Sequence, residues 1–138
     1  MTPGNTKKSG GTFEEIIRHT LEYKKYPFIC QKCVGTRFET GRHIVDFIID
    51  DKILVSVKWQ EVSGTAEQKV PFEVICLTDI ILKSSTFAKA YLVLGGEGWK
   101  LRDFYLSRDF LKWIPKAEGL VEVVAFEDFI RRINRSEV

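Results

Sequence analysis

Two charged side chains interrupt apolar stretches in the first half of the sequence. Asp46 and Lys58 each stand between two apolar residues, within the segment GRHIVDFIIDDKILVSVKWQ at positions 41–60. Charges inside apolar strands are costly unless they are paired or hold a ligand. An acid and a lysine on paired strands are what metal-dependent phosphodiester hydrolysis needs, because the acid binds a divalent cation and the ammonium acts on water and phosphate.

The same segment predicts how these two side chains are positioned. Residues 43–49 and 53–60 read as two strands, which a tight polar turn at residues 50–52 joins. In such a hairpin Asp46 lies opposite the stretch that carries Lys58. The sequence therefore predicts that carboxylate and ammonium meet at one metal site.

Strand alternation also predicts the neighbours of this pair. Gln60 shares a face with Lys58 and can hold water or a phosphate oxygen through its amide. Asp46 is expected to share a face with Ile44 and Ile48.

A metal site of this kind needs a second carboxylate, and the position at which one is expected holds Ser56. Two predicted helices can supply the missing acid: Glu14 or Glu15 from the first, and Glu67 or Glu73 from the second. Glu73 lies among apolar residues, which favours an orientation toward the sheet.

The rest of the chain alternates helices with strands. Further strands are predicted at residues 34–40, 89–95 and 121–125, and helices at residues 12–25, at 100–114, at 126–133 and from residue 65 onward. Thr12 with Glu15 and Thr65 with Gln68 are predicted capping boxes of the first two helices. The order implies an antiparallel meander followed by a parallel crossover, and hence an α/β fold with a mixed central β-sheet flanked by helices.

Length and composition fit one globular domain. The 138 residues are 44% hydrophobic and 29% charged, which predicts a single domain over residues 12–138 after a flexible N-terminal lead at residues 1–11. No apolar run approaches the roughly 20 residues of a membrane span, and the lead lacks the apolar core of a secretory signal. Three cysteines, an odd number, favour a reducing, cytoplasmic compartment.

These residues resemble the PD-(D/E)XK nuclease superfamily, which has the restriction-endonuclease-like fold. The core order of that family is αβββαβ, and residues 12–95 reproduce it. Its motif places an Asp on the second strand and an acid–X–Lys on the third, where this chain has Asp46 and Ser56–Val57–Lys58. The proline that often precedes the Asp is absent, and Ser56 replaces the acid. The stretch SVKWQEVSGTAEQKVPFEVICL is similar to that of bacterial members found beside restriction systems.

The resemblance also implies roles for the two candidate glutamates. Some restriction enzymes of the family carry Ser–X–Lys and recruit a glutamate from the following helix, for which Glu73 is the counterpart. Members also often have a glutamate on the first helix after a glycine-containing start, which Glu14 matches. Both glutamates are thus implied as metal ligands beside Asp46.

The function expected from these observations is a Mg²⁺- or Mn²⁺-dependent endodeoxyribonuclease of restriction type. Asp46, with Glu73 or Glu14, holds the metal ion, Lys58 activates the attacking water, and Gln60 supports it. Because one active site cuts one strand, cleavage of both DNA strands calls for a homodimer or a partner subunit.

Two alternatives remain open from the sequence. One is a structure-selective repair or junction nuclease on the same fold. The other is a catalytically degenerate nucleic-acid-binding module, which Ser56 favours. The net charge of +2 does not decide, although residues 1–45 carry eight Lys and Arg against four Glu.

Overall fold

The computed structural model describes residues 8–138. Of the lead predicted at residues 1–11, residues 1–7 lie outside this range, whereas residues 8–11 are already part of the first helix. The elements are, in chain order, α1 (Lys8–Tyr23), β1 (Phe28–Thr36), β2 (Arg42–Ile49), β3 (Ile53–Trp59), α2 (Ala66–Lys83), β4 (Lys89–Gly95), α3 (Arg102–Leu106), α4 (Arg108–Leu111), a short 3-10 helix (Pro115–Ala117), β5 (Val121–Ala125) and α5 (Phe126–Asn134).

The five strands form one mixed sheet in the order β1-β2-β3-β4-β5. β2 pairs antiparallel with both of its neighbours, β1 and β3, and β3, β4 and β5 run parallel. Because α2 connects β3 to β4, the parallel pairing is made by a helical crossover, as parallel neighbours require. The predicted α/β fold with a mixed sheet between helices is confirmed.

Each face of the sheet carries its own apolar core. On the first face α2 packs through its predicted stripe, in which Val70, Val74 and Leu77 are fully buried. On the second face α1 and α5 pack through Ile17 and Phe129, both fully buried. Both faces are thus closed to water, and polar chemistry is confined to places where the strands diverge or end.

The turn between β2 and β3 is the predicted one. Asp50 and Asp51 adopt left-handed backbone angles, with φ of 55° and 59°. Aspartate tolerates this region better than most residues, which explains two acids at the tip of this three-residue hairpin loop. The turn fixes the register of the two strands that carry Asp46 and Lys58.

The first strand differs from the prediction, because β1 covers Phe28–Thr36 and not residues 34–40. Residues 37–41 form a turn in which the Arg37 N–H donates to the Gly41 carbonyl. Phe38 and Glu39 have left-handed φ angles there, which a strand does not allow. As an edge strand, β1 is largely exposed and so lacks the apolar alternation that identifies half-buried strands.

Neither predicted capping box forms. Helix α1 already begins at Lys8, so Thr12 lies inside it, and Thr65 makes no side-chain capping bond at α2. Pro71 is accommodated within α2 by a substitute donor. Its missing N–H would bond to the Glu67 carbonyl, which instead accepts from the Tyr105 hydroxyl at 2.7 Å.

The predicted helix at residues 100–114 is two short helices. Ser107 has extended backbone angles between α3 and α4 and ends the first of them. No helix among residues 8–138 is long and apolar enough to cross a membrane.

Candidate active site

The regular pairing of β2 with β3 ends at Phe47 and Val55. Beyond this pair the Asp46 carboxylate replaces backbone pairing, because its Oδ2 accepts a hydrogen bond from the Val57 backbone N–H at 2.7 Å. Its Oδ1 accepts another from the Gln31 side-chain amide of β1 at 3.1 Å. Asp46 is therefore held by two neighbouring strands at the point where the hairpin ceases to pair.

The side chain of Asp46 does not lie on the face that regular alternation along β2 predicts from Ile48. Val45 and Ile48 both belong to the core under α2, whereas Ile44 is 43% exposed. The prediction that Ile44, Asp46 and Ile48 all share one face is therefore wrong, because Ile48 lies on the same side as Val45. The alternation is interrupted across Asp46, opposite Gln31, whose left-handed φ of 51° marks the same irregularity in β1.

Glu14, from α1, is hydrogen-bonded to Asp46. Burial raises the pKa of Asp46, and its hydrogen bonds and the positive charge of Lys58 act in the opposite direction without cancelling the rise. Two carboxyl groups in contact repel each other when both are ionised, so they share a proton or a cation. The pair is chemically suited to a divalent ion in place of that proton.

The donor set fits Mg²⁺ or Mn²⁺ better than a closed metal cage. Across residues 8–138, no group of three or more His, Cys, Asp or Glu side chains is placed to hold a metal ion. Mg²⁺ usually takes one or two protein carboxylates and completes its shell with water and phosphate oxygens, whereas structural zinc needs four protein ligands. Asp46 and Glu14 supply the two carboxylates.

Glu73 lies at the centre of a second polar cluster, between α2 and the sheet. Its side chain is 2% exposed. Four side chains meet its two oxygens: Arg37 Nη1 at 2.9 Å and Lys58 Nζ at 3.8 Å from Oε1, and His43 Nε2 and Ser56 Oγ, each at 2.9 Å from Oε2. Ser56 therefore occupies the expected position of the acid and donates to the glutamate that α2 brings there.

The environment of Glu73 keeps its carboxylate ionised. Burial by itself would raise the pKa, but the hydrogen bond from His43 and the charges of Lys58, His43 and Arg37 outweigh it and lower the pKa to about 2. Three hydrogen bonds to this buried carboxylate also fix the positions of the side chains that donate them.

Lys58 connects the two clusters. Its Nζ pairs with Glu73, and its charge also acts on Asp46. The side chain is 28% exposed, so the ammonium is within reach of solvent. The structure thus brings Asp46, Glu14, Lys58 and Glu73 to one end of the β2–β3 hairpin.

The structure uses the Gln60 amide differently from the prediction. Its Nε2 donates to the Gly98 carbonyl at 2.9 Å and lies 3.3 Å from the Glu67 carboxylate, and its Oε1 accepts from the Ala66 N–H at 3.1 Å. The side chain is 6% exposed. These contacts make Gln60 the cap of α2 and the tie between that helix and the loop after β4.

The two remaining acids considered from the sequence lie in other environments. Glu67 is hydrogen-bonded to the backbone N–H groups of Lys100 and Leu101, which together with its other hydrogen bonds lowers its pKa. Glu15 is exposed and pairs with Arg18 within α1. Neither is part of the cluster around Asp46 and Glu73.

Three polar residues of the site were not predicted from the sequence. Gln31 lies on β1, which was predicted at the wrong residues, and Arg37 lies in the turn after it, so no sequence pattern could assign them a partner. His43 is fully buried, and its Nδ1 has no hydrogen-bond partner within the described part of the chain. Its position two residues into a strand that also carries Asp46 was the one available signal.

The fold and the site together describe an α/β domain with an acid–lysine pair where its central hairpin diverges. A family model described as a PD-(D/E)XK nuclease superfamily domain matches residues 5–137. Because the match spans nearly the whole sequence, the chain belongs to the PD-(D/E)XK nuclease superfamily, and the resemblance seen in the sequence is confirmed. Members are typically nucleases that use divalent metal ions, which implies a nucleic-acid substrate. No curated protein and no solved structure matches the chain.

Proposed function

We propose that this protein is a restriction-type endonuclease that depends on Mg²⁺ or Mn²⁺ and hydrolyses DNA phosphodiester bonds. The observation that carries the proposal is the meeting of Asp46, Glu14 and Lys58 at the divergent end of the β2–β3 hairpin. Family membership supports nuclease activity, and the geometry of these three side chains supports a metal-dependent form of it.

Asp46 and Glu14 hold the metal ion in this proposal. Their contact supports Glu14 as the second carboxylate, whereas Glu73 already has four donors around its two oxygens. A bound divalent ion supplies Lewis acidity and lowers the pKa of a coordinated water. The hydrogen bonds from Val57 and Gln31 fix the Asp46 carboxylate without using all of its lone pairs.

Lys58 orients the attacking water and screens the charge that develops on the phosphate. Its ammonium pairs with Glu73 on one side, and because the side chain is partly exposed, the other side can contact water or a substrate phosphate. A cation fixed beside the reacting phosphate stabilises the transition state more than the ground state, since negative charge accumulates there. Gln60 supports this arrangement indirectly, because it secures the end of the strand that carries Lys58.

Cleavage assays test the proposal directly. Wild-type protein is incubated with duplex DNA in Mg²⁺ or Mn²⁺ and compared with the Lys58→Ala variant. The expected loss of rate is at least about 100-fold, typical for the removal of one charged group that acts on the transition state. A Lys58→Ala protein that cut as fast as the wild type would contradict the mechanism. Arg135→Ala, an exposed arginine at the end of α5, serves as a control for charge.

A structure-selective repair or junction nuclease is the alternative within the same fold. A panel of linear, nicked and branched DNA of equal sequence separates the two activities. Restriction-type cleavage depends on the sequence of linear duplex, whereas a structure-selective enzyme cuts branched DNA whatever its sequence.

A degenerate nucleic-acid-binding module is the alternative from another class. Ser56 in place of an acid favours it, as do the three hydrogen bonds that Glu73 accepts. A working site gains melting temperature when Mg²⁺ or Mn²⁺ is added, because the ion binds the folded state only. A degenerate site shows no such gain and no cleavage.

A further inference from the structure

The turn after β1 places an arginine over the buried carboxylate of Glu73. Arg37 begins this turn, and its backbone is held by hydrogen bonds to Gly41 and Thr40. Its Nη1 donates to Glu73 Oε1 at 2.9 Å, and its side chain is 29% exposed. The Arg37 side chain therefore contacts a buried anion and also the buried Cys76 thiol, while part of the side chain stays open to solvent.

Three hydrogen bonds and the nearby Lys58 ammonium leave Glu73 little capacity for a further ligand. A carboxylate offers about four lone-pair sites, and four side chains surround its two oxygens. A metal ion at Glu73 would compete with these donors and lie beside the charges of Arg37 and Lys58. The arrangement is that of an anion that organises cations.

The local charges leave room for one more anion. Arg37 and Lys58 carry two positive charges against the single negative charge of Glu73. The charge of Lys58 also acts on Asp46, and the carboxyl groups of Asp46 and Glu14 would balance the charge of one divalent ion. With its ion the site would then carry a surplus of at least one positive charge, before any charge on His43 is counted, and such a surplus favours a phosphodiester.

We propose that Arg37 is a phosphate-binding residue of this site, and that Glu73 is a positioning residue for Arg37 and Lys58. The inference rests on the proposed nuclease function. Arginine presents five N–H donors in a planar fork, so one edge can stay on a carboxylate while another binds phosphate oxygens. Lys58 and Arg37 would contact the phosphodiester from two different elements, the strand β3 and the turn after β1.

Metal-free DNA binding tests Arg37 without cleavage. A fluorescein-labelled duplex is titrated with protein in EDTA at several salt concentrations, for wild type and for Arg37→Gln. Each phosphate contact contributes about −0.9 to the slope of log K against log salt, so the variant is expected to lose about one unit of slope and about tenfold in affinity near 0.1 M salt. Glutamine can still donate to Glu73, which keeps the fold intact.

Arg135→Gln is the matched control, because it removes the same charge at an exposed position. Arg135 lies two residues after Ile133, whose carbonyl accepts a hydrogen bond from the Tyr26 hydroxyl just beyond the C-terminal end of α1. Glu14 of the site lies in the N-terminal half of the same helix, so Arg135 is near the opposite end of α1. Its slope should equal that of the wild type. An unchanged slope in Arg37→Gln, or equal losses in both variants, would overturn the assignment of Arg37.

Glu73→Gln separates positioning from metal binding. If Glu73 positions cations, the variant keeps the gain in melting temperature on addition of Mn²⁺ but loses affinity for DNA in EDTA. Loss of the Mn²⁺ effect with unchanged DNA affinity would overturn the positioning role. The outcomes separate the two proposals. A reduced salt slope in Arg37→Gln without any cleavage by the wild type would remove the nuclease proposal alone, and cleavage with an unchanged slope would remove the Arg37 proposal alone. Absence of DNA binding would remove both.

Discussion

The Asp46 carboxylate accepts a hydrogen bond from the backbone N–H of Val57, with 2.7 Å between Oδ2 and N. A side chain thus replaces the carbonyl that would continue the β2–β3 ladder. This substitution allows the two strands to diverge while their register stays fixed, and it places an acid in the gap. The chemistry of the site and the irregularity of the sheet therefore have the same origin.

Replacement of Asp46 should stabilise the metal-free protein and abolish its response to metal. Burial raises the pKa of Asp46 in the folded protein, so protonation of this carboxyl group stabilises the fold. This stabilisation is complete below the ordinary pKa of 3.8 and is lost as the pH rises through the higher pKa of the folded state. At pH 7 the ionised group therefore costs stability, and Asp46→Asn should melt at a higher temperature in EDTA. Differential scanning calorimetry measures the change.

Metal provides the second half of this measurement. Wild-type protein should gain about 2.7 kcal/mol when the ion is present at 100 times its Kd, and Asp46→Asn should gain nothing. An equal gain in both proteins would show that the ion binds elsewhere.

Acid should destabilise the protein through Glu73. The folded-state pKa of about 2 lies below the ordinary value of 4.5, so the carboxylate contributes stability above pH 4.5 that is lost as the pH falls toward 2. The difference corresponds to roughly 3 kcal/mol. Urea unfolding at intervals between pH 5 and pH 2 measures the loss. Glu73→Gln should be less stable at pH 7 and should show a shallower dependence on pH in this window.

Gln60 should matter for stability more than Thr65, although Thr65 is the formal cap of α2. Gln60→Ala removes three hydrogen bonds from a side chain that is 6% exposed, and we expect a loss of about 2 kcal/mol in the free energy of unfolding. Thr65→Ala removes no capping bond and should cost less than about 0.5 kcal/mol. Equal losses in the two variants would contradict the role of Gln60 at the helix start.

Cleavage of both strands should depend on protein concentration. One chain carries one candidate site, so a single copy nicks one strand at a time. With supercoiled plasmid, nicked circles should accumulate at low protein concentration, and linear product should form directly only where two copies associate. Agarose gels, read beside sedimentation of the protein alone, check this expectation. Linear product at concentrations at which the protein is monomeric would argue against a homodimer.

The sequence by itself determined the hairpin, its turn and the order of the main elements, and it singled out Asp46 and Lys58 as candidate site residues. Asp50 and Asp51 define the turn by local conformational preference, and the apolar runs beside Asp46 and Lys58 define the strands by burial. Such signals depend on neighbours in sequence, which is why they survive without knowledge of the tertiary fold.

Only the tertiary structure decided which groups meet at the site. Glu14 reaches Asp46 because β2 loses its regular alternation, and alternation was the rule from which its direction was predicted. Arg37 reaches Glu73 across 36 positions of sequence, through a turn whose strand is an exposed edge without apolar periodicity. Buried polar groups choose partners by distance in space, and because leaving one unpaired is costly, the packed fold and not the local pattern settles each choice.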